Sequence, residues 1–257
     1  MNRFALIIES SNVKNQDDLP GARKDSSNWY HYLTSNAGGA WLRNEIIKIT
    51  KPSLKEVSTY LTTHQQDYCF VAFSGHGYEM HFTNSSSTQG VPCVCLNDDE
   101  QNVRLSSLKP QGKYGTLISD SCRGYETSRL KQSFSTKTAG DLILSEENTN
   151  QLSILHRRLW FRALEQCCDA YSGVITMYSC SSGESADEDP NAGGLYTSLL
   201  ISSSNNWYDD EAENYHYLTT LLVHDKAKTL MKKYAPQQTP EYYGAPRTFP
   251  FTVKMSL

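Results

Sequence analysis

Short, dense apolar runs alternate along the chain with longer stretches whose apolar residues recur every three or four positions, and the two spacings predict different elements. Residues 4–8 (FALII), 69–73 (CFVAF), 114–119 (YGTLIS) and 173–179 (GVITMYS) are unbroken enough to be strands covered on both faces, and residues 45–49 supply another. Trp29, Tyr30 and Leu33 predict a helix over about residues 22–33, entered through the Leu19-Pro20-Gly21 turn. Leu54, Val57 and Leu61 predict a second helix behind Pro52-Ser53. Further on, Leu159/Trp160, Ala163/Leu164 and Cys167/Cys168 repeat every four residues, which is helical spacing. Two more helices are predicted over 195–201 and 216–233, the second with Leu221, Leu222 and Leu230 facing inward, and a turn-rich stretch over 237–247 leads to a last strand over 249–253. A polar stretch at 83–89 precedes a β-like segment at 91–95, and residues 125–150, rich in Ser, Thr, Lys and Glu, read as an exposed loop. Strands alternating with helices predict an α/β fold, a mostly parallel sheet with helices on both faces.

Length and composition narrow this without changing it. The 257 residues carry no internal repeat and no linker strong enough to mark a second domain, so residues 1–257 read as a single domain with ample core. A net charge of -4 and the lack of a long basic stretch argue against nucleic acid as a partner. The apolar runs fall far below the roughly 18 residues a membrane-spanning helix needs, and Glu9 interrupts the first of them, so neither a membrane span nor a signal peptide is expected. Seven cysteines, an odd number in a chain too long to need staples, suit a reducing compartment, and a cytoplasmic protein is expected. Cys93-x-Cys95 and Cys167-Cys168 lack the recurrence and the histidines of a zinc site, so no metal is expected.

Two strands end in reactive residues: Phe70-Val-Ala-Phe-Ser74-Gly75-His76-Gly77 and Leu117-Ile-Ser-Asp120-Ser121-Cys122-Arg123-Gly124. Open α/β sheets bind ligands outside their carboxyl ends, and neighbouring strands lie about 4.8 Å apart, so an imidazole and a thiol leaving one edge can meet. A thiolate is a strong nucleophile and imidazole can take its proton, which makes His76 and Cys122 candidates for acyl transfer. Glycines beside His76 allow close backbone approach, and the N–H groups of Gly77 and Cys122 could form an oxyanion hole. His31, His64, His81, His156, His216 and His224 carry no motif and read as solvated or structural, and Cys180, after another strand, reads as core or cleft packing.

The 46-residue interval from His76 to Cys122, with Asp120-Ser121-Cys122-Arg123-Gly124 and Ser74-Gly75-His76-Gly77, resembles the caspase-like cysteine peptidases (clan CD, peptidase C14), and within them the metacaspases and bacterial caspase-like proteases. Support comes from ALIIES with Leu19-Pro-Gly-Ala-Arg-Lys-Asp25, from the segment running from Tyr178 through Pro190 to Gly194-Leu-Tyr-Thr, and from Gln238-Thr-Pro240 with Phe249-Pro-Phe251. The resemblance spans nearly the whole chain. It implies a three-layer sandwich around a six-stranded sheet, with a large-subunit-like part over 1–124, a loop over 125–150 and a small-subunit-like part over 151–257.

It also implies a peptide or protein substrate and a pocket of Asp25, Ser74 and Asp120 for Arg or Lys, since two partly desolvated carboxylates repel until a cation enters. The bland alternative is that Asp25 caps its own helix and Asp120 fixes a loop. The substrate backbone would add as a strand beside Ser179, Cys180, Ser181 and Ser182. Arg129, Lys131 and Lys137, with Arg157 and Arg158 after them, would suit self-processing. Many metacaspases bind calcium through an acidic cluster; here Asn97-Asp98-Asp99-Glu100 reads instead as a polar turn, so no cofactor is expected. A separate regulatory protein is left open. The rival readings are a caspase-like scaffold that binds without cutting and a protease specific for Asp, which Asp25 and Asp120 make electrostatically unattractive.

Overall fold

In chain order, the computed structural model contains β1 (Arg3–Ser10), α1 (Pro20–Thr34), β2 (Ile46–Thr50), α2 (Leu54–Thr63), β3 (Tyr68–Gly75), β4 (Gly77–Met80), β5 (Val91–Val94), β6 (Val103–Arg104), β7 (Tyr114–Asp120), α3 (Gln151–Ala170), β8 (Gly173–Tyr178), β9 (Glu188–Asp189), β10 (Gly193–Gly194), α4 (Leu195–Asp209), β11 (Tyr217–Thr219), α5 (Thr220–Tyr234), β12 (Glu241–Tyr243) and β13 (Pro250–Val253). It describes residues 2–65, 67–81, 90–125, 151–210, 216–244 and 248–255. Six strands form one sheet in the order β12-β8-β7-β3-β1-β2. All neighbours are parallel except β12, which runs antiparallel to β8. The chain steps from β1 to β2 and then returns across β1 to β3, so the sheet's switch point lies between β1 and β3.

Both faces are covered, which is why the strands read as unbroken apolar runs. Alternate residues go to opposite layers: Ala5 and Ile7 join Phe70, Ala72, Ile118 and Met177 against α1, α3, α4 and α5. Phe4, Leu6 and Ile8 join Val71, Phe73 and Leu117 against Val57 and Leu61 of α2 and Leu105 and Leu108 of a short 3-10 turn. The result is a three-layer α/β sandwich. No helix among the described residues is long and apolar enough to cross a membrane, and none of the seven cysteines is disulfide-bonded.

Three expectations are corrected. The last strand forms at Pro250–Val253 as expected, but the sixth strand of the central sheet is Glu241–Tyr243, inside the stretch read as turns. Pro250 lacks an N–H for a central ladder, and β13 instead pairs with β11 in a separate ribbon that buries Phe251 and Val253 among the helices. On α5, Leu222 faces solvent at 52% exposure, and the buried stripe is Val223, His224, Ala227 and Met231. The helix expected around residue 159 begins at Gln151, so Arg157 and Arg158 are helical.

Arg157 helps fasten the amino end of the sheet. Arg3 is buried between the rings of Trp41 and Trp160, 4.3 and 4.6 Å from their centroids, and donates to the Gly39 and Ala40 carbonyls. Burial lowers its pKa to about 9, and the Glu45 carboxylate beside it holds the charge in place. Glu45 accepts both from Arg3, at 3.2 Å, and from two nitrogens of Arg157, at 2.5 Å. Removing one partner of such a cluster leaves a buried guanidinium uncompensated. Urea denaturation of Glu45→Ala should therefore show a loss of about 3 kcal/mol, against a change within about 0.5 kcal/mol for Asp18→Ala at the exposed Arg23–Asp18 pair.

Candidate active site

The register of β3 against β7 sets Ser74 opposite Asp120. His76 and Cys122 each stand two residues beyond that pair, so both strands deliver their reactive residue at the same sheet edge. Gly77 brings the two loops together: a Cβ there would stand 2.8 Å from the Cys122 carbonyl oxygen and 2.7 Å from Ser121 Oγ, so only glycine fits. Cys95 N–H donates to the His76 carbonyl, which makes that the bonded pair of the β4–β5 ladder and turns the Gly77 amide to the opposite edge of β4. On that edge Glu79 N–H already donates to Gly124 O, so the Gly77 amide faces the chain that carries Cys122.

His76 Nε2 lies 2.7 Å from the carbonyl oxygen of Asp17. A carbonyl can only accept, so Nε2 carries the proton, and in the neutral ring Nδ1 is then the basic nitrogen. Cys122 is half-buried, and its Sγ accepts the Ala186 N–H at 3.3 Å. Burial pushes the thiol up from its ordinary value, the Ala186 bond works against that, and the nearby charges of Asp120 and Asp187 raise it further. Arg123 locks the next residue: its guanidinium pairs with Glu79 and Glu241, bonds the Cys180 carbonyl and lies over the Tyr178 ring.

Asp25, in the second turn of α1, is buried together with Ser74 and Asp120. Its Oδ2 accepts from Ser74 Oγ and its Oδ1 from Gly194 N–H, both at 2.9 Å. Asp120 Oδ2 accepts from Thr197 N–H at 2.8 Å, the bond an N-cap side chain makes to the third residue of a helix. The N-cap of helix α4 is Gly194, which has no capping side chain, and Asp120 fills that role from β7. A Cβ at Gly194 would overlap both carboxylates, so the two acids face each other across one residue of bare backbone. Burial raises the pKa of each; the charge of Asp120 lifts Asp25 further. Among the described residues no cationic side chain is bonded to either. Asp25 does not cap its own helix: at that end Ala22 N–H bonds the Leu19 carbonyl and Glu188 Oε2.

Ser179, Cys180, Ser181 and Ser182 lie close to the thiol's loop but do not present an open strand edge. Ser179 N–H donates to Ser119 O and its carbonyl accepts from Gln238. The Cys180 carbonyl accepts from Arg123, Ser181 N–H donates to Glu184, and Ser182 Oγ bonds Glu79. A turn closed by Glu184 N–H on Ser181 O follows, and it is Ser185, Ala186 and Asp187 that then pass beside Cys122. Sequence reasoning missed Asp17, which contributes a backbone carbonyl and so leaves no side-chain signature, and Ala186 and Asp187, which only the turn brings to the thiol.

Other expected groups are engaged elsewhere. Asn97 Oδ1 accepts from Asp99 N–H and Glu100 N–H, Asp98 pairs with Lys51, and Glu100 accepts from Leu54 N–H at the start of α2. That is a turn, and no group of His, Cys, Asp and Glu among the described residues is arranged to hold a metal. Arg129, Lys131 and Lys137 lie outside the described residues. His156 and His224 are buried, bonded to Tyr208 and Tyr196, and His64 stacks on Phe4.

Comparison with known proteins bears on the fold and the family. Among solved structures, caspase-1 from Spodoptera frugiperda superposes with a TM-score of 0.59 at 12% identity, covering 100% of this chain and 94% of that one. Protein GSU0716 from Geobacter sulfurreducens superposes with a TM-score of 0.55 at 13% identity, covering 99% and 100%. At such identities the likeness speaks for the fold alone. No curated protein matches the sequence. The family model of the caspase domain matches residues 2–252, nearly the entire chain, and the protein therefore belongs to the caspase-domain family of cysteine peptidases, Peptidase C14.

Proposed function

We propose that the protein is a cysteine endopeptidase that cleaves after Arg or Lys, with Cys122 as nucleophile and His76 as its base. The observation that carries this reading is the pairing of Ser74 with Asp120, because it lines up the imidazole, the thiol and the buried acids at one sheet edge. His76 Nδ1 takes the Cys122 proton and Sγ attacks the scissile carbonyl carbon. The resulting oxyanion is held by the amides of Gly77 and Cys122. As the tetrahedral adduct collapses, the C–N bond breaks and His76 returns the proton to the leaving amine. Water, deprotonated by His76, then hydrolyses the thioester and restores the thiol. Asp17, through its carbonyl, keeps the imidazole in the tautomer these steps need.

Specificity follows from the charge balance. A guanidinium or ammonium entering beside Asp25 and Asp120 relieves their repulsion and gains charge-assisted hydrogen bonds, whereas an aspartate side chain would add a third buried carboxylate. The substrate's backbone runs past the thiol beside the segment that carries Ser185 and Ala186. Self-processing after Arg129, Lys131 or Lys137 belongs to the same reading, while Arg157, held by Glu45, does not suit it.

A panel of fluorogenic peptides ending in Arg, Lys or Asp should show turnover of the first two only. Cys122→Ala and His76→Ala should each lower kcat/KM by roughly a thousandfold or more, and no turnover by the wild type would leave the non-cutting scaffold. Mass spectrometry of incubated protein should find cuts between residues 125 and 150, absent in Cys122→Ala.

Asp25→Asn separates a substrate pocket from a structural clasp. If the acids exist to receive a cation, the amide should abolish cleavage after Arg while raising the melting temperature at neutral pH by about 2–4 °C, the equivalent of about 1 kcal/mol. The Asp25 carboxyl titrates higher folded than unfolded, so its protonated form favours folding, and that contribution is lost as pH rises from the ordinary value near 4 through the folded one. The advantage of Asp25→Asn should thus be absent below about pH 4 and grow above it. A fall in melting temperature at neutral pH would count for the clasp.

A further inference from the structure

The turn that brings the chain back to the thiol is closed by an acid whose side chain the mechanism above does not use. Glu184 N–H donates to the Ser181 carbonyl at 3.1 Å, and Glu184 Oε2 accepts the Ser181 N–H at 3.0 Å, so backbone and side chain close the same turn. The same oxygen accepts the Thr239 N–H at 2.6 Å, just ahead of β12, while Ser181 Oγ donates to the Thr239 carbonyl at 2.9 Å. The backbone of the turn is also bonded to the residue after the nucleophile: Arg123 N–H donates to Glu184 O and Gly183 N–H to Arg123 O, both at 2.9 Å. Gly183 has a φ of +82°, which a residue with a side chain adopts only under strain. Two residues beyond Glu184, the Ala186 N–H donates to Cys122 Sγ at 3.3 Å, and one residue further the Asp187 N–H is held by Gln238 Oε1 at 3.0 Å. The amide at the sulfur therefore lies between two anchored residues, 184 and 187, and their anchors are the neighbours Thr239 and Gln238.

We propose that Glu184 is a positioning residue for the nucleophile: by bonding Ser181 and Thr239 through one carboxylate oxygen it holds the Ala186 N–H on Cys122 Sγ, where that amide supports the thiolate. The proposal rests on the reading of Cys122 as the nucleophile.

A hydrogen bond accepted by sulfur strengthens when the sulfur becomes an anion, so a fixed donor favours ionisation. The charged and titratable groups around the thiol come from several elements. Asp120, on β7, and Asp187, on the returning segment, hold the thiol protonated. His76 comes from the β3–β4 junction, and the buried Cys180 donates to the carbonyls of Ser121 and Glu184. Arg123 is balanced by Glu79 and Glu241. The Glu184 carboxylate has the same sign as the two aspartates. As a bare charge it would oppose the thiolate; as the holder of the Ala186 amide it favours it. The two roles predict shifts of opposite sign, and substitutions that separate charge from reach tell them apart.

The experiment measures the rate of Cys122 alkylation by iodoacetamide against pH, read by mass spectrometry of its peptide, together with kcat/KM for the best fluorogenic peptide over the same range. Cys168, the other half-buried thiol, serves as the internal control for loosening of the fold. Glu184→Gln keeps an acceptor oxygen at the same reach without the charge, and its profile should match the wild type. Glu184→Asp keeps the charge but is one methylene too short to bond both amides. It should move the Cys122 profile up by about one pH unit and slow alkylation at neutral pH about three- to tenfold, because there is tenfold less thiolate, of somewhat higher nucleophilicity. Its deficit in kcat/KM should close as pH rises past both midpoints. A deficit of constant size across the pH range, faster alkylation of Cys168, an unmoved Glu184→Asp profile, or a Glu184→Gln profile shifted down would each overturn the positioning while leaving Cys122 as the nucleophile. Wild-type Cys122 that reacts no faster than Cys168 and supports no turnover overturns the nucleophile reading and the positioning with it.

Discussion

The alignment of two parallel strands governs everything at the active edge. Ser74 and Asp120 are partners in the β3–β7 ladder, so their side chains leave the sheet on the same face, toward α1 and α4. A slip of one residue would turn one of them to the other layer and separate the histidine from the cysteine by a strand step. The alternation of buried residues between two unlike helical layers resists such a slip, because each apolar side chain would land on the wrong face. Packing energy far from the site thereby sets the geometry of the chemistry.

The same edge concentrates unfavourable charge. Two buried carboxylates meet across Gly194, and what holds them there is the start of α4, whose amides donate to both. The positive end of a helix dipole offsets part of the cost of burying negative charge there. Two acids so placed repel each other, and among the described residues no cationic side chain is bonded to either. Stability given up at one end of the sheet is compatible with a folded chain because the other end is so firmly tied, with Arg3 stacked between two tryptophans and Glu45 joining it to Arg157.

Much of this is legible in the residue order, for reasons that also explain what is not. The central parallel strands are recognisable because burial on both faces demands uninterrupted apolar side chains, as in residues 69–73. The edge strand Glu241–Tyr243 is three residues long, lies between Pro240 and Gly244, and offers no alternation to read. Likewise Ser74 and Asp120 can be picked out at the ends of their strands, and His76 and Cys122 just beyond them. The segment of Ser185, Ala186 and Asp187 cannot, because the turn from Ser181 to Glu184 sends the chain back over the thiol, and neither its hydrogen bonds nor those of Gln238 have a sequence signature. Leu222 misleads for a simpler reason: an apolar residue next to a buried stripe shares its composition without its direction.

The hydrogen bond from His76 to Asp17 is made by a peptide carbonyl. No amino-acid replacement at position 17 deletes that oxygen, so side-chain substitution there does not remove the bond that fixes the His76 tautomer. A one-residue deletion between Ser11 and Leu19, by contrast, would move the acceptor and misorient the ring. For this contact the loop's length is thus a constraint in its own right, and chemical backbone editing, such as an ester or thioamide at that linkage, would expose its contribution without changing the loop's length.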